Sequence, residues 1–284
     1  QDMKGIGAVH YYALKSLKDA GIRPRRTVHL LVVPDEEVGG FKGTKLLVQS
    51  DEFKKLNIDT VVDEGVASGD EGLLLLKLTE RRPIQIEVTA KGQLAHGSHL
   101  TCHNATHYLV DFLGHLVGLH KQSQYTAQEL QPGLLPSYNI TSLTAGSTAT
   151  LNVVPAWAKA TVDIRIPPSM SLQEVIEDLN VSIKKHPSLT YTIKAMATEK
   201  SIEGLEKSLL YAKLEKACLK NGLKVIPHHF EASSDLRFYH ALGIEGIGLT
   251  PFTCHENLHG TNESVPIKDL IRGRNIFIEL LKSL

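Results

Sequence analysis

The sequence predicts an α/β protein whose mostly parallel sheet is interrupted by an inserted α+β domain of ferredoxin-like order. Three observations predict it. Over residues 1–81, strand-like, loop and helix-like segments alternate, the pattern of a largely parallel sheet flanked by helices. From about Pro83 the order becomes strand, helix, strand, strand, helix, strand, which is the ferredoxin-like succession. After Lys200 the first alternation resumes, so the chain divides into 1–81 and 198–284 for the main domain and 82–197 for the insertion.

The elements follow in order. Ile6, Val9, Ala13, Leu17 and Ala20 recur at helical spacing, and Gly21 stands where a helix-terminating glycine belongs. Pro24 and a basic cluster lead into an apolar strand, Thr27 to Val33, which ends in the acidic turn Pro34-Asp35-Glu36-Glu37-Val38-Gly39-Gly40. On an extended backbone Glu36 and Glu37 would face opposite sides, and the two glycines permit a sharp turn into a helix over 43–49. A strand at Thr60-Val61-Val62 runs into a second acidic pair, Asp63-Glu64-Gly65. In the insertion, Ile84, Ile86 and Val88 alternate as in a half-exposed strand, and a helix spans 105–119. Strands over 138–143 and 151–166 precede a helix over 171–185 and a strand over 190–195. The main domain then resumes with a helix over 204–221 and a strand over 224–226. A polar loop over 231–235 and a strand over 246–250 follow, then the run Cys254-His255-Glu256-Asn257-Leu258-His259 and a final amphipathic helix.

Composition narrows the function classes. The chain has 284 residues, 42% hydrophobic and 22% charged, enough to bury a core in each of two domains. Lys+Arg and Asp+Glu both number 31, so no charge excess points to nucleic acid or an anionic membrane. No apolar run approaches the roughly 20 residues of a membrane span. Cys102, Cys218 and Cys254 are too few and too scattered for a disulfide framework or a cysteine-based zinc site, which fits a reduced, cytoplasmic setting. The chain opens on Gln1-Asp2-Met3-Lys4-Gly5 as if inside a domain, so a targeting signal would lie upstream.

Asp2, Glu36, Glu37, Asp63, Glu64, His255 and His259 all fall at loop positions adjoining the main sheet, where α/β proteins collect their chemistry. Carboxylates with imidazole and no thiolate form the donor set of a catalytic metal site. Each residue also has a plain structural reading: Asp2 as a helix cap, Asp63 and Glu64 as a solvated turn, the histidines as surface residues. Spacing alone leaves both readings open.

The blocks Gln1-Asp2-Met3-Lys4-Gly5, Val33-Pro34-Asp35-Glu36-Glu37-Val38-Gly39-Gly40, Val62-Asp63-Glu64-Gly65 and Leu258-His259 occur in order and at suitable separations. Together they resemble the dizinc amidohydrolase/carboxypeptidase family of aminoacylases, bacterial glutamate carboxypeptidases and related dipeptidases, and the aminoacylase branch most of all. The resemblance runs along essentially the whole chain. It implies a zinc-hydrolase catalytic domain, incomplete at its N-terminus, and an inserted dimerisation domain. It also implies two Zn(2+) per subunit. Asp2 matches the carboxylate shared by both ions, Glu37 and His259 the other ligands of one, and Glu64 a ligand of the second. A further histidine ligand of the family would lie upstream of Gln1, with strands that cover apolar surface of the sheet. Glu36 matches the general base, which takes a proton from the attacking water and passes it to the leaving amine.

Within the insertion, Gly92-Gln93-Leu94-Ala95-His96-Gly97-Ser98 resembles the family's histidine motif, with Ala95 and Gly97 in place of the usual glycine and alanine. His96 would then hydrogen-bond the developing oxyanion from the partner subunit of a homodimer. Asn152 matches a substrate-contacting asparagine. Arg237 matches the arginine whose planar fork grips a substrate carboxylate. Arg165 is read instead as a structural ion pair with Asp163. The resemblance thus implies hydrolysis of N-acyl-L-amino acids. A dipeptidase or carboxypeptidase of the same chemistry, or a shortened non-catalytic subunit that pairs with a full-length partner, are the alternatives.

Overall fold

The structure, a computed structural model, describes residues 1–146, 150–253 and 257–284. In chain order the elements begin with α1 (Lys4–Asp19), α2 (Thr44–Gln49), α3 (Asp51–Leu56), β1 (Thr60–Asp63) and β2 (Leu73–Glu80). Then come β3 (Arg82–Lys91), β4 (Ala95–His96), α4 (Ala105–Thr126), β5 (Ser137–Ala145), β6 (Val153–Val154), β7 (Trp157–Ile166), α5 (Leu172–Lys184) and β8 (Leu189–Met196). The chain closes with α6 (Leu209–Lys220), β9 (Lys224–Phe230), α7 (Leu236–His240), β10 (Glu245–Leu249) and α8 (Ile267–Ser283). Two compact units result: Gln1–Thr79 with Ser201–His229 and Ser234–Leu284, and Glu80–Lys200 with Phe230–Ser233. No helix among the described residues is long and apolar enough to cross a membrane.

The first unit is built on a four-stranded sheet in the order β1-β10-β2-β9. β1 and β10 pair in parallel, Thr60 opposite Glu245, whereas β2 runs antiparallel to β10 with Lys77 opposite Gly248. Pro227 is tolerated in β9 because this strand lies at the sheet edge, where a missing N–H breaks no ladder. Helix α1 buries Ile6, Val9, Ala13 and Leu17, the stripe its periodicity predicts; Ala20 sits at the C-cap, and Gly21 takes φ +67°. That stripe packs with Ile276, Phe277 and Leu280 of α8 in one core. The two helices cross closely at Gly273, where a side chain would press on Pro251 and Val9.

Three expectations shift here. Thr27–Val33 joins no ladder, and Leu30 and Val32 are exposed. An apolar run becomes a strand only if a neighbour accepts its backbone bonds, and no such partner exists among the described residues. The helix over 204–221 breaks at Ser208, whose hydroxyl accepts the Tyr211 N–H at 3.1 Å and starts α6 afresh after a short 3-10 turn. Helix α3 was not foreseen; Ser50 caps it by the same device, accepting the Phe53 N–H at 3.1 Å.

The second unit is a sheet in the order β5-β7-β3-β8, every neighbouring pair antiparallel, with α4 and α5 between strands in the ferredoxin-like succession. Ile84, Ile86, Val88 and Ala90 of β3 and Ala158, Ala160, Val162 and Ile164 of β7 point to one core with Leu109, Phe112 and Leu116 of α4. The other face is polar, with Glu87 between Lys159 (2.9 Å) and Lys194 (3.0 Å). The strand expected over 151–166 divides into β6 and β7, with Pro155 between them. Asn104 caps α4 through its side-chain oxygen, and a reciprocal Ser171–Glu174 capping box starts α5.

Candidate metal centre

The acidic turn is shaped by backbone conformations that few sequences accept. Asp35 is left-handed at φ +63°, and Gly39 and Gly40 follow at +105° and +63°. The chain curls into a single 3-10 turn over Glu36–Val38 rather than staying extended, so the strict alternation expected of Glu36 and Glu37 gives way to a tighter rotation. Glu36 is nevertheless half-buried while Glu37 is exposed. The Asp35 carbonyl accepts from Gly40 N (2.7 Å), and its carboxylate accepts from Lys42 N (2.8 Å). A side chain at Gly40 would collide with the Asp235 carboxylate, so this position needs glycine for space as well as for φ.

Beneath the turn lies a buried polar layer. Thr44 Oγ1 donates to Asp235 Oδ2 at 2.6 Å, and Lys77 Nζ donates to Ser234 Oγ at 2.7 Å. Lys77 is 1% exposed at the centre of a leucine-rich strand. Its only mark in the sequence is a cation inside an apolar run, and the sequence reading passed over it. Burial, with the charges of Asp235 and Glu37, pushes Glu36 up to about 7, while Lys77 opposes the rise.

Asp2 lies just ahead of α1, and His259 lies in the connection from β10 to α8. Asp2 does not cap the helix: the N-cap position belongs to Met3, without a side-chain bond. His259 Nε2 is 2.9 Å from Asp2 Oδ2 and 3.5 Å from Glu37 Oε2. The hydrogen bond to Asp2 and the charge of Glu37 raise His259 above the usual imidazole range. Ligand atoms of Asp2, Glu37 and His259 all lie within 4.8 Å of one another. Two carboxylates and an imidazole, without thiolate, suit a catalytic divalent cation, so the donors present fit a metal ion.

Glu64, one residue past β1, neighbours Asp2 closely enough for the two carboxyls to act on one another. Burial raises its carboxyl well above the usual range; Lys77 opposes the rise, and Asp63 and Asp2 add to it. His255 lies outside the described residues.

Arg237 is not the surface ion pair that a bland reading would give. It is buried, stacks 4.4 Å over Phe238, and donates to Ser234 O and Gly39 O, each at 2.7 Å. Its Nε is buried with no hydrogen-bond partner. The guanidinium is therefore braced against the acidic turn with donors left over.

In the second unit, the short β4–β6 ladder pairs His96 with Val153 and sets His96 beside Asn152, at 3.1 Å from Nε2 to the amide. Ser98 N and Oγ lie 3.3 and 2.7 Å from His96 Nδ1. It is the amide nitrogen of Asn152 that faces Nε2, and the Ser98 hydroxyl is the shorter contact of Nδ1, so the ring's tautomer sets donor and acceptor in both contacts. Both residues are exposed. Arg165 pairs with Asp163 at 2.6 Å along the same strand, as read from the sequence.

Known proteins resemble this chain throughout. The profile of peptidase family M20/M25/M40 matches residues 1–283. Aminoacylase-1 of Mus musculus is 30% identical over 290 residues, spanning 100% of this chain and 70% of that protein. Aminoacylase-1 of Dictyostelium discoideum is 28% identical over 301 residues, spanning 100% and 73%. Among solved structures, the aminopeptidase PepT from Bacillus cereus ATCC 10987 superposes with TM-score 0.77 at 14% identity, over 99% of this chain and 70% of that one. The M20 family metallo-carboxypeptidase Sso-CP2 from Sulfolobus solfataricus gives TM-score 0.74 at 18% identity, over 97% and 75%. At such identities the structural likeness speaks for the fold alone.

Proposed function

Since this chain belongs to peptidase family M20/M25/M40 and is a metallo-amidohydrolase, we propose that it cleaves the amide bond of N-acyl-L-amino acids, typically N-acetylated, to a carboxylate and a free L-amino acid. The observation that carries this reading is the meeting of Asp2, Glu37 and His259 within 4.8 Å from three distant parts of the chain. A helix cap, a solvated turn and a surface histidine do not account for that convergence.

In this reading Asp2, Glu37 and His259 hold one zinc ion, and Asp2 and Glu64 contribute to a second. Zinc there would polarise the scissile carbonyl and make water a better nucleophile at neutral pH. The chain's own residues do the rest. Glu36 accepts the proton of the attacking water and delivers it to the departing amine. Arg237 offers its remaining donors to the substrate carboxylate, which favours acids with a free α-carboxylate. His96, held by Ser98 and accompanied by Asn152, hydrogen-bonds the oxyanion; in the homodimer proposed here it serves the neighbouring copy.

The test is a substrate panel with the zinc-loaded protein, N-acetyl-L-methionine against unblocked dipeptides. Hydrolysis of the acetylated substrate with dipeptides spared is expected. Cleavage of dipeptides alone would overturn the substrate assignment. A chain that takes up no zinc and turns over nothing would favour the non-catalytic subunit.

A further inference from the structure

His259 and Asp2 meet although 257 residues separate them, and the backbone that presents His259 is under strain. His259 itself has φ +58°, and Asn257 and Asn262 lie at +59° and +63°. A non-glycine residue in the left-handed region costs roughly 1–2 kcal/mol and persists only where its surroundings hold it. Asparagine and histidine are among the non-glycine residues found there most often.

One side chain supplies the hold. The Glu263 carboxylate accepts the backbone N–H of Asp2 through Oε1 at 2.7 Å, and the Gln1 nitrogen lies 2.5 Å from the same oxygen. Glu263 lies four residues beyond His259 in the connection from β10 to α8, so the bond to Asp2 ties the start of α1 to the segment that carries His259. Glu263 thus holds the peptide N–H of Asp2 from the segment that presents His259, yet its own carboxylate is not among the groups that converge there.

We propose that Glu263 is a positioning residue of the metal centre, clamping the backbone of Asp2 to the segment that carries His259 so that ligands from opposite ends of the chain face the same ion. The proposal rests on the reading of Asp2, Glu37 and His259 as metal-holding. An ionised carboxylate suits the task because hydrogen bonds to a charged acceptor are about twice as strong as neutral ones. Groups that orient ligands in this way typically set metal affinity by about 10–100-fold.

The test compares wild type, Glu263→Ala and Glu263→Gln by zinc competition against a chromophoric chelator. Amide hydrogen exchange at Asp2 is read in the zinc-free proteins. Glu263→Ala should bind zinc about 10–100-fold more weakly and exchange faster at the Asp2 amide, while turnover per bound ion changes little. Glu263→Gln keeps an acceptor oxygen and should recover most of the loss. Zinc affinity unchanged in Glu263→Ala would overturn the clamp. If Glu263→Ala does not fold, Glu263→Asp keeps the charge but withdraws it by one methylene, and unchanged affinity there overturns the clamp equally. Failure of the wild type to bind zinc would instead defeat the metal reading, and the clamp would then be decided by exchange alone: unaltered protection at Asp2 in the variants refutes it.

Discussion

Asp269 is the side chain whose loss should be felt most sharply in the first unit. It sits in the first turn of α8 and is 0% exposed. Its Oδ2 accepts from Thr253 N (3.0 Å) and Thr253 Oγ1 (3.1 Å), and its Oδ1 from Arg272 Nη2 (2.8 Å). Thr253 is itself buried and opens the segment that leads to His259. Asp269→Ala would strand two buried donors on Thr253, each costing about 1–3 kcal/mol, and leave the Arg272 guanidinium without its carboxylate. Breaking a buried ion pair by removing one member costs about 3–5 kcal/mol, so the two estimates agree on a loss of that order. Asp269→Asn retains one oxygen for Thr253 and should lose about half as much. Urea denaturation followed by far-UV circular dichroism measures both, with amide exchange across the first turn of α8 as the local readout. A loss below about 1 kcal/mol for Asp269→Ala, or identical losses for the two variants, would refute the reasoning.

Two further outcomes are expected. Burial lowers His10 to about 4, with Nε2 partnerless and the ring edge-on to Phe277 at 4.3 Å. The unfolded chain binds this proton near pH 6.5 and the folded chain resists it until about 4, so stability should fall as pH drops through that window, by up to about 3 kcal/mol. Replacing His10 by Leu should flatten the slope between those limits in urea titrations at several pH values; an unaltered slope would exclude His10 as its source. Arg237→Lys gives up the planar fork, so KM for N-acyl amino acids with a free carboxylate should rise about 10–100-fold, while carboxamide analogues are indifferent. Equal effects on both substrates, measured by steady-state kinetics, would remove Arg237 from carboxylate recognition.

What the sequence made legible was local. The apolar stripe of α1, the glycines at positions 39 and 40 and the strand order of the second unit each follow from spacing or from backbone permissiveness over a few residues. What it hid depends on partners far along the chain. Thr27–Val33 has strand composition, yet a ladder needs a neighbour that composition cannot supply. β2, with five leucines over 73–78, has no alternation to betray it, because nearly all of it is buried. Lys77 and Glu263 read as ordinary charges; one becomes a buried cation beneath the acidic turn, the other a brace on the Asp2 amide. The site followed the same rule. The acidic turn announces itself in seven consecutive residues, whereas nothing local to His259 says that Asp2 stands 2.9 Å away.

The central claim, that Glu36 moves the proton for amide hydrolysis beside a metal held by Asp2, Glu37 and His259, is tested most directly by Glu36→Gln. Zinc content and turnover of an N-acetyl-L-amino acid are measured on wild type and variant side by side. The account predicts equal zinc and a kcat lower by about 10²–10⁴-fold, with KM little changed. A variant that keeps its zinc and hydrolyses the substrate within a few-fold of wild type would contradict it.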